Sequence, residues 1–252
     1  MGQAIGRIEI LPDPLVLAHH VAEWMTQAAL AAQGSFRVSL SGGSTPKALY
    51  VLLASDEFRG RFPWPRVSWY WGDERFVPYD HPDSNYRMAR EAMLAKAPVP
   101  PENIHPIPTD GTPEDAARRY ELILQEAYGA ATLDPQHPLF DITLLGLGSD
   151  GHTASLLPGE PVLNERKRWV AAVSHGRPEV RITMTYPVIE SSHRVAFLVA
   201  GEEKAEIFSA IRAGNSQVPA ACVQPVGELF WFVDRAAAGE DTGAASHGAH
   251  AR

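Results

Sequence analysis

The stretch FDITLLGLGSDGHTASLLPG places an acid and a base inside a glycine-rich turn: Asp150 and His152, set among Gly146, Gly148 and Gly151 after an apolar run. An unperturbed imidazole titrates near ~6.5, so a histidine here can take a proton from water at working pH, with a carboxylate two residues away to orient it. Position matters as much as residue type. Open α/β sheets hold their ligands beyond the carboxyl ends of strands, and Phe140–Leu145 reads as a strand that ends at this turn. The spacing Gly146, Gly148, Gly151 also fits GxGxxG, the dinucleotide fingerprint. That reading is disfavoured, because Asp150 would set a like charge against a pyrophosphate. The strand Trp169–Val173 also runs into Ser174 and His175 instead of the acidic residue that a ribose needs.

Two more stretches can hold an anion. In FRVSLSGGSTPKALY a strand breaks into Ser41, Gly42, Gly43, Ser44 and Thr45 and restarts as a helix, with Thr45 read as its cap and Pro46 as its first residue. Free N–H groups, glycines that admit close approach and the positive end of the helix dipole make such a turn a phosphate site. The same turn also serves as a plain strand-to-helix connection. It is not a Walker loop, since GxxxxGK[ST] is absent. In VSWYWGDERFVPYDHPDSNYRMAR an aromatic strand runs into Asp73, Glu74 and Arg75. Arg75 can offer a forked donor to a phosphate, Asp73 and Glu74 can do acid–base work or hold Arg75, and Ser84 can cap a helix beginning at Asn85. A solvated charged loop is the alternative.

These turns require a scaffold of strands. Strands are expected near Arg7–Leu11, Phe36–Leu40, Val67–Trp71, Phe140–Leu145, Trp169–Val173, Arg181–Thr185, Arg194–Ala200 and Leu229–Val233. Helices are expected from Pro14 towards Gly34, with Asp13 as cap, then over Pro46–Leu53, Ser84–Ala95, Thr112–Tyr128, Thr153–Leu157 and Glu202–Arg212. The alternation defines the fold class as α/β: three-layer, Rossmann-like, with a mostly parallel sheet flanked by helices in a single domain. The domain is expected over residues 1–235, and the small, polar residues 236–252 are expected to be a frayed tail.

Composition narrows the functions. The 252 residues carry 22 Lys plus Arg against 30 Asp plus Glu, a net charge of −8, which argues against a generic nucleic-acid surface. Any anion must therefore be held locally. Cys222 is the one cysteine, so no intrachain disulfide or Cys-based zinc site is expected, and a buried structural thiol is the expected role. Scattered histidines without HExxH give no metal site. The opening MGQAIGRIEILPDP lacks the order of a secretory signal, and no apolar run reaches ~18 residues, so a cytoplasmic protein without a membrane partner is expected. Oligomeric state is not written in these features.

Taken together, SLSGGSTPKALY, WGDERFVPYDHPDSNYR, DITLLGLGSDGHTASLLPG, RITMTYPVI, VAFLVAGEEKAEI and PAACVQP resemble the 6-phosphogluconolactonases, within the wider glucosamine-6-phosphate isomerase/deaminase superfamily. The order and spacing of these segments carry the resemblance across nearly the whole chain. It implies a hydrolase of a phosphorylated sugar lactone, 6-phospho-D-glucono-1,5-lactone, that needs no cofactor. It also implies His152 as base with Asp150 in support, and substrate or phosphate contacts from Gly42, Gly43, Ser44, Thr45, Arg75, Lys204 and Arg181. Without it, Lys204 reads as a helix-surface lysine. The lead HGRPEVRIT departs from the proline-rich family pattern, so what Arg177 and Arg181 each contribute is left open. The isomerase branch resembles DEY and DGHIAFNEPG, whereas this chain has Arg75 after Glu74, and Leu156 and Leu157 where that branch carries Asn-Glu. That difference favours ester hydrolysis. A noncatalytic sugar-phosphate sensor is a further alternative, which would need an output module such as a basic helix-turn-helix.

Overall fold

Alternating apolar strands and capped helices build the chain in the order β1 (Arg7–Leu11), α1 (Pro14–Ala31), β2 (Phe36–Leu40), α2 (Ser44–Leu53), α3 (Asp56–Arg59), β3 (Val67–Trp71), β4 (Asp73–Arg75), α4 (Asn85–Ala89) and α5 (Pro113–Tyr128). They continue with β5 (Ile142–Gly146), β6 (Val170–Val173), β7 (Arg181–Met184), α6 (Tyr186–Glu190), β8 (Arg194–Val199), α7 (Ala205–Arg212) and β9 (Glu228–Asp234). This computed structural model describes residues 5–214 and 216–240. Six strands form one sheet in the order β1-β9-β8-β5-β2-β3, and every pair in it is parallel. Strands β2, β5 and β8 are buried along nearly their whole length, as expected when both faces of a parallel sheet are covered. Helices α1 and α2 pack on each other, α1 against β9 and α2 against β5 and β8. Within the core, Phe197 and Trp231 stack at 4.0 Å with nearly parallel rings.

The sequence punctuation works as read at several ends. Asp13 accepts from the N–H groups of Leu15 and Val16, Pro14 opens α1, and Ser84 accepts from the N–H of Arg87 at the start of α4. Other ends differ. Helix α2 starts at Ser44 with Gly43 as its cap at φ 103°, so Thr45 lies inside the first turn. Helix α1 stops at Ala31, before Gly34. The stretch Thr153–Leu157 is not a helix: Ala154 has φ 47°, and Thr153 bridges Leu156 in a tight turn. The expected helix over Glu202–Arg212 is a 3₁₀ turn, Glu202–Lys204, followed by α7. Cys222 is only partly buried. Of the expected tail, Ala236 to Glu240 form a turn in which Ala237 is buried and donates to Asp234, while residues 241–252 lie outside the described residues.

A second sheet was not anticipated. The strands expected at Trp169–Val173 and Arg181–Thr185 leave the main sheet and pair antiparallel with each other, with Asp73–Arg75 joining as a third strand in the order β4-β7-β6. Helix α5 packs on β6 and β7. A buried carboxylate links this sheet to α4. Glu74 is 1% exposed and accepts from the N–H groups of Arg75, Asn85 and Tyr86 at 2.7–2.8 Å and from the Ser84 hydroxyl at 3.0 Å. Burial pushes its pKa up, and the N–H groups of Tyr86, Asn85 and Arg75 pull against that shift. Every partner is a donor. Glu74→Gln puts an NH₂ against those donors and is expected to cost ~1–3 kcal/mol, read as a lower midpoint in urea unfolding. An unchanged midpoint contradicts this account of how α4 is anchored.

Candidate active site

The strand order reverses between β2 and β5: the chain leaves β2 for β3 on one side and later returns to β5 on the other. Ligands of open α/β sheets bind in the crevice at such a switch point, beyond the carboxyl ends of the strands. Four adjacent strands, β8, β5, β2 and β3, deliver the expected groups there. Gly42, Gly43, Ser44, Thr45, Arg75, His152 and Lys204 line one pocket of about 230 Å³, together with Asp73, Asn85, Gly146, Gly148 and Ala154.

Two buried tyrosines tie off the strands that end at this crevice. The Tyr50 hydroxyl accepts from Ser41 N–H at 2.9 Å and donates to Ser41 C=O at 2.8 Å. Tyr120 does the same at the end of β3, accepting from Trp71 N–H at 2.8 Å and donating to Trp71 C=O at 3.0 Å. Each hydroxyl satisfies a backbone donor and acceptor that the ladder no longer serves. The chain can then turn at Gly42 and Gly43 into α2, whose first N–H groups have no partner inside the helix.

Arg75 enters from the small sheet. Its Nη1 donates to Asp83 C=O at 2.6 Å and to Asn85 Oδ1 at 3.1 Å, while its Nε is buried without a protein partner. Beside it, Asp73 is 5% exposed and accepts from the Ser155 hydroxyl at 2.6 Å. Lys204 stands at the end of the turn after β8, with Nζ 3.8 Å from Glu203. Arg181 pairs opposite Arg75 across the β4–β7 ladder. Its side chain is 12% exposed, with Nη1 4.0 Å from Asp73 and Nε unpartnered. It does not itself line the pocket; Asp73 lies between. Asn85 and Asp73 are the pocket residues whose place was least visible in sequence: Asp73 is fixed by Ser155, 82 residues along the chain, and Asn85 by contacts to Asp73, Glu74 and Arg75 that no local pattern marks.

The imidazole is held from one side. His152 Nδ1 lies 2.5 Å from Asp150 Oδ1, and Asp150 also accepts from His152 N–H at 3.1 Å. Arg177 Nη2 donates to the other carboxylate oxygen at 2.8 Å and lies 3.1 Å from Nδ1. Nδ1 cannot both donate to Asp150 and accept from Arg177. The carboxylate is the stronger acceptor and accepts a hydrogen bond from each, which leaves Nε2 as the nitrogen available to a ligand or water. A β-carbon at Gly148 would lie 2.0 Å from Nδ1, so the bare backbone there is what lets the ring fold over the loop. This use of Gly148 explains the glycine spacing without a dinucleotide.

A glycine turn at a helix amino terminus, cations from neighbouring elements and a carboxylate-held imidazole at one switch point define an α/β enzyme class that acts on a small anionic substrate. The chain belongs to the family described as Glucosamine-6-phosphate isomerases/6-phosphogluconolactonase, which matches residues 12–231. It is 41% identical over 242 residues to a 6-phosphogluconolactonase of Nostoc sp., covering 92% of this chain and 97% of that one. It is 38% identical over 248 residues to that of Rattus norvegicus, covering 93% of each. Among solved structures, the devB protein superposes with a TM-score of 0.84 at 33% identity, over 92% of this chain and 98% of that one. The 6-phosphogluconolactonase of Thermotoga maritima superposes at 0.77 and 29% identity, over 90% and 99%. A monomeric glucosamine-6-phosphate deaminase shares the fold at 20% identity and a TM-score of 0.78.

Burial alone would raise the Asp150 pKa, but hydrogen bonds from the His152 ring and N–H and from Arg177 outweigh it and hold the carboxyl well below the usual range. A depressed folded-state value means stabilisation that is present above the unfolded value of ~3.9 and lost as pH falls through the folded one. Asp150→Asn is therefore expected to melt below the wild type at neutral pH, with the difference shrinking progressively in acid below pH ~4. Thermal melts across pH check this, and a difference that stays constant into acid contradicts it.

Proposed function

We propose that the protein hydrolyses 6-phospho-D-glucono-1,5-lactone to 6-phospho-D-gluconate in the oxidative pentose phosphate pathway. The observation that carries this reading is that one pocket is lined both by the anion-holding turn with Arg75 and Lys204 and by His152. Family membership supports the substrate class. The phosphate is held by Gly42, Gly43, Ser44 and Thr45 at the start of α2, by the Arg75 fork and by Lys204, with Arg181 adding positive charge behind Asp73.

With the phosphate anchored, the lactone carbonyl faces His152. Nε2 takes a proton from water, and the water oxygen bonds to the carbonyl carbon. The resulting oxyanion collapses, the ring C–O bond breaks, and the imidazolium returns its proton to the leaving ring oxygen. Asp150 holds the proton on Nδ1 throughout, and Arg177 holds Asp150. No covalent intermediate with the chain is involved, and no GxSxG elbow is present. Proton shuttling of the isomerase kind lacks its carboxylate: the positions that would supply it are Leu156 and Leu157, 0% and 3% exposed. The reading also places the protein in the cytoplasm without a nucleic-acid or membrane partner. The net charge of −8 speaks against a generic nucleic-acid surface; among the described residues no helix is long and apolar enough to cross a membrane.

A pH-stat assay of freshly made lactone beside glucosamine 6-phosphate tests the reaction. Acid release well above the spontaneous rate is expected from the first and no ammonia from the second, with His152→Ala lowering turnover by ~10²–10⁴-fold. A folded His152→Ala protein with wild-type turnover removes the base assignment. Arg75→Ala and Lys204→Ala are each expected to raise KM for the phosphorylated lactone while sparing an unphosphorylated one. Equal losses on both substrates contradict the phosphate assignment.

A further inference from the structure

Asn85 lies where three segments of the pocket meet, and it is 3% exposed. Its Oδ1 accepts from Arg75 Nη1 at 3.1 Å. Its Nδ2 donates to Asp73 C=O at 3.0 Å and lies 3.4 Å from Asp73 Oδ1. Turning the amide over would set NH₂ against the guanidinium and oxygen against the Asp73 oxygens, so one orientation alone serves both neighbours. Its backbone is fixed independently, with the N–H bonded to Glu74 at 2.8 Å. On the third side lies the glycine turn: a β-carbon at Gly42 would come within 2.1 Å of Asn85 Oδ1. The amide therefore packs directly on the segment that begins α2. The Arg75 guanidinium has few other restraints, because Nη1 is its one side-chain nitrogen with protein acceptors, Asp83 C=O and Asn85, among the described residues.

We propose that Asn85 is a positioning residue for substrate binding, one that sets the Arg75 guanidinium against the Gly42–Gly43 turn so that the two hold a single phosphate together. The inference rests on reading Arg75 as a phosphate ligand. Asn85 acts through Arg75 and moves no proton, so its loss belongs in substrate affinity and not in turnover.

A double-mutant cycle of Asn85→Ala and Arg75→Ala tests this, with steady-state kinetics on the phosphorylated lactone and calorimetric binding of 6-phosphogluconate. Asn85→Ala is expected to raise KM and the product Kd by ~10-fold, the scale of one hydrogen bond to a charged group, with kcat within ~2-fold. On the Arg75→Ala background it is expected to add less than ~2-fold, because the partner is already gone. The isosteric Asn85→Asp keeps the volume and turns a donor into an acceptor facing two Asp73 oxygens; it is expected to raise KM as well, and it decides the matter if the alanine variant does not fold. An unchanged KM in the folded Asn85 variants, with Arg75→Ala still raising it, overturns the positioning role alone. A full Asn85 effect on the Arg75→Ala background overturns it too. An Arg75→Ala protein with unchanged KM overturns the phosphate reading and this inference with it.

Discussion

Parallel register is the constraint on which the rest of this structure depends. Strands β8, β5, β2 and β3 lie side by side in one orientation, so their carboxyl ends form a single rim and the loops that leave them are neighbours in space. Leu40 stands beside Trp71, and Gly146 beside Leu198. Side chains alternate faces along a strand, so a slip of one residue would reverse each buried set and misplace the turns that follow. Tyr50 and Tyr120 hold that rim in place by bonding to the residues where β2 and β3 end.

The charge distribution follows the same geometry. A chain of net charge −8 gathers Arg75, Arg177, Arg181 and Lys204 around the crevice. Surface acids beyond a Debye length of ~8 Å are largely screened from a ligand there. The local cations and the amino terminus of α2 therefore dominate the potential inside the crevice. Asp150 works in the opposite sense at short range: it keeps the imidazole proton on Nδ1 while Arg177 occupies its second oxygen.

Much of the scaffold was legible in sequence because its signals are local. Strands β1, β2 and β3 are short β-rich runs bounded by turn residues, and they occupy the expected residues. Gly42, Gly43, Ser44, Thr45, Arg75, His152 and Lys204 line one pocket; it was the family resemblance that grouped them, since without it Lys204 reads as a helix-surface lysine and the Arg75 segment equally as a solvated loop. What escaped was long-range or against local preference. Strand β4 is a charged triplet with no alternation to mark it, and it exists because β7, about a hundred residues later, supplies its ladder. The turn after His152 looks helical in composition, but Ala154 takes a positive φ and Ser155 is drawn to Asp73. Asn85 reads as the first residue of a capped helix; only the folded chain sets its amide between Gly42, Asp73 and Arg75.

The division of the molecule into two sheets separates what is held from what is free to change. The β6–β7 ladder pairs Val173 with Arg181, and the β7–β4 ladder pairs Arg181 with Arg75. The hairpin tip from Ser174 to Glu179, which carries Arg177, lies outside these ladders, whereas Val180 C=O still accepts from Phe76 N–H at 2.8 Å. Its length and residues can change while the ladder keeps Arg181 and Arg75 in place. The departure HGRPEVRIT begins in this tip, so a changed residue there alters what reaches the Asp150 carboxylate, as Arg177 does, and leaves the register of Arg75 with Arg181 unmoved.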